Sequence, residues 1–365
     1  MIKRVHACLI AAFVVLAACQ EKNKTAEQGV TVRLLTDASG VDDKSFNASA
    51  WSGISRFYGD TWIDAKQTGN SYGWVSAANH DMFIPNLRQA TDEGYDLIIV
   101  TGFLWASALN IVASDNPLQK YLIVDIDSLQ LPNVMQAVYA EHEGSYLVGV
   151  AAALKAIEDG IANPRFGFIG GVADAVITKF EVGYAQGILS VIPDAEIADY
   201  YVGSFREPAL AKAKAKNWYD TGVYAIYSAA GGSGNGTIAQ AKEHRAAGGN
   251  VWAIGVDSDQ FEEGIYNNSG ASAVLTSMLK RVENSALYAL NAVSNNSFKG
   301  EVITFDLKID GVGYSTANPA LSAGIVEKIE IVKSQIINGQ ITVFSTFSEA
   351  ARLHGFPQNL KAIDE

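Results

Sequence analysis

Tyr121-Leu122-Ile123-Val124-Asp125 is a run of four apolar residues closed by an aspartate, and its repetition along the chain decides the fold. A short, continuously apolar run reads as a strand buried on both faces, and covering both faces takes helices on either side of a sheet. Strands of this kind are predicted at 31–36, 72–77, 97–100 and 121–125, with helical patterns at 46–58, 81–93 and 105–113 between them. A second series repeats the alternation: strands at 166–169, 197–202, 223–227 and 251–255, helices at 178–192, 208–219 and 235–247. Strand and helix in alternation give parallel sheets with crossover helices, so the expectation is an α/β chain folded as two doubly wound lobes facing each other across a cleft. The seam is expected between Ser128 and Glu143. A late helix at 278–293 and the segments after Gly300 do not continue a simple two-halves chain, and by analogy of fold the chain is expected to cross between lobes more than once.

Upstream of the first strand the sequence is of another kind. Lys3 and Arg4 precede a short apolar core at 9–16, and Ala17 and Ala18 stand before Cys19. This is the layout of a bacterial lipoprotein signal, too short to span a bilayer. Residues 1–18 are expected to be removed, Cys19 to carry lipid, and 19–29 to form a flexible tether, so the protein would be anchored to a cell membrane, facing periplasm or exterior, without crossing it. Cys8 falls in the signal and Cys19 in the anchor, which leaves no disulfide for the body. With 48% hydrophobic residues the body can be stabilised by its core alone. The formal charge of −12 becomes −14 without Lys3 and Arg4, an acidic balance that argues against nucleic acid as a partner.

In open α/β sheets ligands bind beyond the carboxyl ends of the strands, so the informative polar residues are those that end apolar runs. These are Asp37, Asp125, Tyr227 and Asp257, with Thr276, Ser277 and Lys280 further on. In the loop Val41-Asp42-Asp43-Lys44-Ser45-Phe46-Asn47, Ser45 is expected to cap the helix that presents Phe46 and Asn47. Phe46 and Tyr227 are a candidate pair for sandwiching a flat heterocycle. Asp37, Asp125 and Asp257 are candidate acceptors for hydroxyl groups, with Lys280 donating. Each also has a plainer reading: staple, loop cap or solvated charge. The glycine run 231–236 lacks the Lys-Ser/Thr ending of a phosphate loop, and its glycines would equally allow close backbone approach to a neutral ligand. No metal-ligand spacing joins the histidines, no Gly-x-Ser-x-Gly elbow occurs, and no catalytic residue, metal or cofactor is assigned. Binding, not catalysis, is the expected class.

The chain resembles the basic membrane protein (BMP) family of lipoproteins, purine nucleoside receptor-like substrate-binding proteins of ABC transporters. The resemblance is carried by 41–47, by Glu141-His142-Glu143-Gly144-Ser145-Tyr146-Leu147, by Gly167-Phe168-Ile169-Gly170-Gly171, by 230–236, by Gly255-Val256-Asp257-Ser258-Asp259-Gln260 and by Leu275-Thr276-Ser277-Met278-Leu279-Lys280. It implies a type I periplasmic binding protein fold with a hinge: 30–128 plus about 276–297 as the first lobe, 129–275 plus about 298–350 as the second, and a tail at 351–365. It also implies that Phe46 and Tyr227 stack the purine, although Tyr227 stands where the family commonly has Phe. Asn47 and Asp37 would contact the base, while Asp125, Asp257 and Lys280 would hold the ribose and Gly232 and Gly234 would line the pocket. Asp259 competes with Asp257 for its role. The ligand would be guanosine, inosine or adenosine, handed unaltered to a permease. A flavin-like ligand, a nucleoside-processing enzyme and a protein-binding surface receptor remain the alternatives.

Overall fold

The computed structural model describes residues 29–60, 71–353, 355–357 and 360. The signal segment, Cys19 and the tether as far as Gln28 lie outside the described residues.

Two six-stranded sheets make two lobes. The first contains β1 (Val32–Thr36), β2 (Tyr72–Ser76), β3 (Leu97–Val100), β4 (Tyr121–Val124), β5 (Val134–Tyr139) and β11 (Val302–Phe305), in the order β11-β5-β4-β3-β1-β2, all parallel. The second contains β6 (Arg165–Gly170), β7 (Glu196–Tyr201), β8 (Val223–Ala229), β9 (Trp252–Asp257), β10 (Val274–Lys280) and β12 (Val312–Tyr314), in the order β12-β10-β9-β8-β6-β7, with only β12 antiparallel. The two orders superimpose strand for strand, β4 on β9 and β5 on β10. Asp125, just after β4, and Asp257, the last residue of β9, therefore hold matching positions. Both have left-handed backbone, φ 72° and 64°, a conformation that aspartate tolerates better than most side chains.

The central strands are apolar because both faces are covered. All four residues of β3 and of β4 are fully buried. Helices α2 (Phe83–Asp92) and α3 (Ala106–Asp115) pack on one face of the first sheet, and α6 (Pro208–Asp220) and α7 (Gly234–Ala246) on the corresponding face of the second. The opposite faces carry α1 (Phe46–Phe57) and α8 (Val282–Ser294) on the first lobe, and α4 (Glu141–Glu158), α5 (Ala175–Leu189) and α9 (Ala323–Ile337) on the second. Helices α4 and α5 meet backbone to backbone: a β-carbon at Gly149 would strike the Tyr184 carbonyl, and one at Gly187 the Tyr146 carbonyl. Glycine is required there because nothing larger fits.

Among the described residues the chain crosses between lobes three times, at Ala140, at Arg281 and at 306–311. Sheet membership corrects the expected boundaries. β5 pairs with β4, so the first lobe continues past residue 128 to Tyr139. β10 lies between β9 and β12, so 276–280 belongs to the second lobe, while β11 returns 302–305 to the first. Residues 278–280, expected in a helix, end a strand. In the tail, Phe356 and Leu360 are buried in the core, so it is not wholly free of the second lobe.

Candidate functional site

The carboxyl ends of β1, β3 and β4 face those of β8, β9 and β10 across a cavity lined by both lobes, the place where open α/β sheets bind their ligands. The first lobe contributes Asp37, Asp43, Phe46, Asn47, Thr101, Phe103 and Asp125, and the second Ile177, Phe180, Phe205, Ala229, Gly231, Val256, Asp257 and Lys280. The wall is mostly aromatic and aliphatic, with the polar groups gathered into clusters.

One cluster is uncharged apart from a single carboxylate. Asn47 Nδ2 donates to Asp37 Oδ1 at 3.0 Å, and the Thr101 hydroxyl donates to Asn47 Oδ1 at 2.5 Å. The Ser39 amide also donates to Asp37 Oδ1, at 3.0 Å. Behind them Asp43 caps α1, its carboxylate accepting from the amides of Ser45, Asn47 and Ala48 at 2.8–3.0 Å. Ser45 was the expected cap, but its hydroxyl donates instead across the cleft to Asp257. Burial pushes the Asp43 carboxyl up to about 6, although those three amides pull it down.

The other cluster is built on Lys280, which is 1% exposed. Its ammonium lies 2.6 Å from Asp125 Oδ1 and 2.9 Å from Glu141 Oε1. It also stands 5.0 Å from the centre of the Phe46 ring and 5.4 Å from that of Phe180, within cation–π range. Burial alone would discharge this lysine, but Asp125, Glu141 and Asp257 more than offset it and hold its pKa above the ordinary value. One ammonium cannot neutralise three carboxylates, and they separate accordingly. Burial raises Asp257 to about 7 and raises Asp125, against the pull of Lys280 in each case. Burial acts on Glu141 as well, but Lys280 together with Lys179, at 3.4 Å, outweighs it and keeps this carboxyl below its usual range.

The cluster sits on the hinge. Glu141 opens α4 directly after the first crossing, and Lys280 ends β10 directly before the second. The crossings are joined by Ala140 N to Phe305 O and by Arg281 N to Gly311 O, both 3.0 Å. The lobes are also latched to each other directly. Three successive carbonyls of the first lobe, those of Asp43, Lys44 and Ser45, accept from Asn235 Nδ2 at 3.1 Å, Gln260 Nε2 at 3.0 Å and the Ser258 hydroxyl at 3.2 Å. The lobes are thus closed on each other.

Of the residues singled out in the sequence, Asp37, Phe46, Asn47, Asp125, Asp257 and Lys280 come together on this cavity. Tyr227 does not. It is fully buried in the second lobe, its ring against Phe168, Phe180 and Tyr184 and its hydroxyl 3.1 Å from Ser145. Lying two residues before the end of β8, it points into the core. Gly232 and Gly234 also stand behind the lining, which the loop reaches only at Gly231. Asp259 is exposed and caps the Phe261 amide.

The second-lobe aromatics on the cavity are Phe180, on α5, and Phe205, in the loop after β7. Neither ends a strand in the sequence pattern, which is why strand-end reasoning passed over them. Phe205 is half-buried and meets Phe103 of the first lobe edge-on, with ring centres 6.3 Å apart. The glycines have their use here. A β-carbon at Gly171 would run into the Phe205 ring and one at Gly232 would crowd the Phe205 carbonyl, which accepts from Ser233 N at 2.9 Å. The glycine-rich loop is a bed for Phe205.

Among the described residues no cluster of His, Cys, Asp and Glu is placed to hold a metal ion, and no helix is long and apolar enough to cross a membrane.

Known proteins resemble this chain in sequence and fold. The family model for PnrA-like ABC transporter substrate-binding proteins, Bmp, matches residues 30–346. A Lactococcus lactis protein described as "ABC transporter nucleoside-binding protein BmpA" is 34% identical, over 93% of this chain and 97% of its own. The "CD4+ T-cell-stimulating antigen" of Listeria innocua is 34% identical, over 92% of this chain and 96% of its own. Among solved structures, an ABC transporter solute-binding protein from Aeropyrum pernix matches with a TM-score of 0.76 and 26% identity, over 88% of this chain and 95% of that one.

Proposed function

Because this chain belongs to the Bmp family of PnrA-like ABC transporter substrate-binding proteins, whose members are receptors and not enzymes, we propose that its interlobe cavity takes a purine nucleoside for delivery to a permease. The observation that carries the reading is the division of one cavity into an aromatic wall and two polar ends. Phe46 from one lobe and Phe205 from the other supply ring faces, and base–aromatic stacking contributes about 1–3 kcal/mol per ring. Phe205 takes the part first expected of Tyr227, because it is half-buried with ring area left to cover. Asp37 and Asn47 offer an acceptor beside a donor, the complement of a purine edge. Asp125, Asp257 and Lys280 offer the charge-assisted partners that ribose hydroxyls take up. The name of the Lactococcus relative supports a nucleoside over a sugar alone.

The mechanism follows from the hinge. A ligand held by both lobes stabilises the closed form over the open one by its differential contacts, and a permease that recognises only the closed form then receives loaded receptors. Anchoring through Cys19 would keep the receptor beside that permease. The test is to unfold the protein as purified from cells and identify the released small molecule by mass spectrometry. A purine nucleoside is the expected product; a flavin or a bare pentose would replace the reading.

A further inference from the structure

We propose that Thr101 is a positioning residue for the ligand, fixing the Asn47 side-chain amide so that it can only donate into the cavity. This rests on and deepens the nucleoside reading, because it decides which hydrogen-bond pattern the base must present.

Asp37 Oδ1 lies 3.0 Å from the Asn47 amide and only accepts, so the edge of Asn47 that faces it must be the NH2. The oxygen of that amide is then turned the other way, into a position where Asn47 and Thr101 are each only 3% exposed. A buried amide oxygen without a donor costs about 1–3 kcal/mol. The Thr101 hydroxyl supplies the donor at 2.5 Å; its other acceptor within reach, the Leu35 carbonyl, is much more distant at 3.4 Å. A hydroxyl has one proton, and the nearer oxygen takes it. Thr101 follows β3, whose four residues are fully buried, and its own amide is tied to Leu35 O at 3.2 Å, so the hydroxyl is aimed by the rigid part of the lobe.

Asn47 therefore has one N–H committed to Asp37 and one left, on a residue that lines the cavity. The wall presents an N–H donor next to a carboxylate acceptor, and the polarity cannot reverse while Thr101 donates. The matching ligand edge is an acceptor beside a donor, as in the C6 carbonyl and N1–H of hypoxanthine or guanine, or N1 and the 6-amino group of adenine.

The experiment compares Thr101→Val, which keeps shape and removes the donor, with Thr101→Ser, which keeps the donor. Inosine affinity is expected to fall about tenfold in T101V and to stay within about twofold in T101S, the scale of one buried hydrogen bond. In an Asn47→Ala background T101V should add no further loss, since Thr101 acts only through Asn47. Ligand-free protein gives an independent arm by NMR. The two Asn47 Nδ2 protons, assigned by their absence in N47A, should keep the same shifts and the same slow exchange with water in wild type and T101S, and should shift and exchange faster with water in T101V. Additive losses, or Asn47 signals untouched by T101V, would overturn the proposal. A wild type that binds no nucleoside overturns the nucleoside reading instead, and the NMR arm then decides Thr101 by itself.

Discussion

Lys280 ends a strand of the second lobe, and its ammonium stands 2.6 Å from the carboxylate of Asp125 at a strand end of the first. The ion pair spans the hinge and is closed off from water, so it does two things at once. It neutralises carboxylates that folding has buried, and it ties the lobes together at their hinge beside the contacts of Asn235, Gln260 and Ser258.

Replacing Lys280 by methionine keeps the length and removes the charge. Asp125 and Glu141 are then buried with only Lys179 near the second, and breaking a buried pair costs about 3–5 kcal/mol. The sign of the pH dependence follows. Without the lysine the carboxyls are more easily protonated in the folded state than in the unfolded one, so the deficit against wild type should be largest at pH 8 and smaller at pH 5. Urea unfolding of wild type and K280M at the two pH values measures it.

Asp257 works in the opposite direction. Burial raises its carboxyl to about 7, so between the unfolded value and 7 the folded protein binds the extra proton, and the cost of holding the bare charge grows as pH rises through that window. Asp257→Asn removes that cost, fits the left-handed backbone, and leaves Lys280 its other two partners. It is expected to stabilise the ligand-free protein by roughly 1–3 kcal/mol at pH 8 and negligibly below pH 4, while weakening nucleoside binding. Thermal melts across pH, paired with a titration, check both halves.

Phe205→Ala and Tyr227→Phe separate the two aromatics assigned to the second lobe. Loss of the Phe205 ring should weaken nucleoside binding by about 1–3 kcal/mol, roughly five- to 150-fold, with little change in melting temperature. Tyr227→Phe loses only the hydroxyl contact to Ser145, and should cost about 1 kcal/mol of stability and no affinity.

Asn235 touches no ligand in this account, yet it latches the lobes through the Asp43 carbonyl. Asn235→Ala should raise the ligand's dissociation rate about fivefold, the worth of one hydrogen bond, and leave the association rate unchanged. Stopped-flow displacement reads the two rates separately.

Much of this was legible in the sequence where chemistry and pattern coincide. Eight strands showed as apolar runs, and the aspartates that close them, Asp37, Asp125 and Asp257, do line the cavity. What was hidden had a physical reason. β10 and α4 are buried nearly all round, so neither shows the periodicity that tells strand from helix. β11 and β12 are four and three residues long and leave too little pattern to read. Phe205 lies in an irregular loop, and its bed of Gly171 and Gly232 comes from distant parts of the chain. Tyr227 misled because it is aromatic and near a strand end, whereas β8 is buried on both faces and, two residues short of its end, the ring is still packed in the core. Thr101 and Glu141 act through Asn47 and Lys280, and a residue that works by orienting another has no signature of its own.

The central claim is that the cavity binds a purine nucleoside, and calorimetry tests it most directly. The body from about residue 29 onward would be unfolded and refolded to free it of carried ligand, then titrated with guanosine, inosine, adenosine and ribose. Micromolar or tighter binding of at least one nucleoside, about −8 kcal/mol or stronger, together with no heat from ribose, is the predicted result. Ribose binding as tightly as the nucleosides, or no heat from any of the four, would contradict the account.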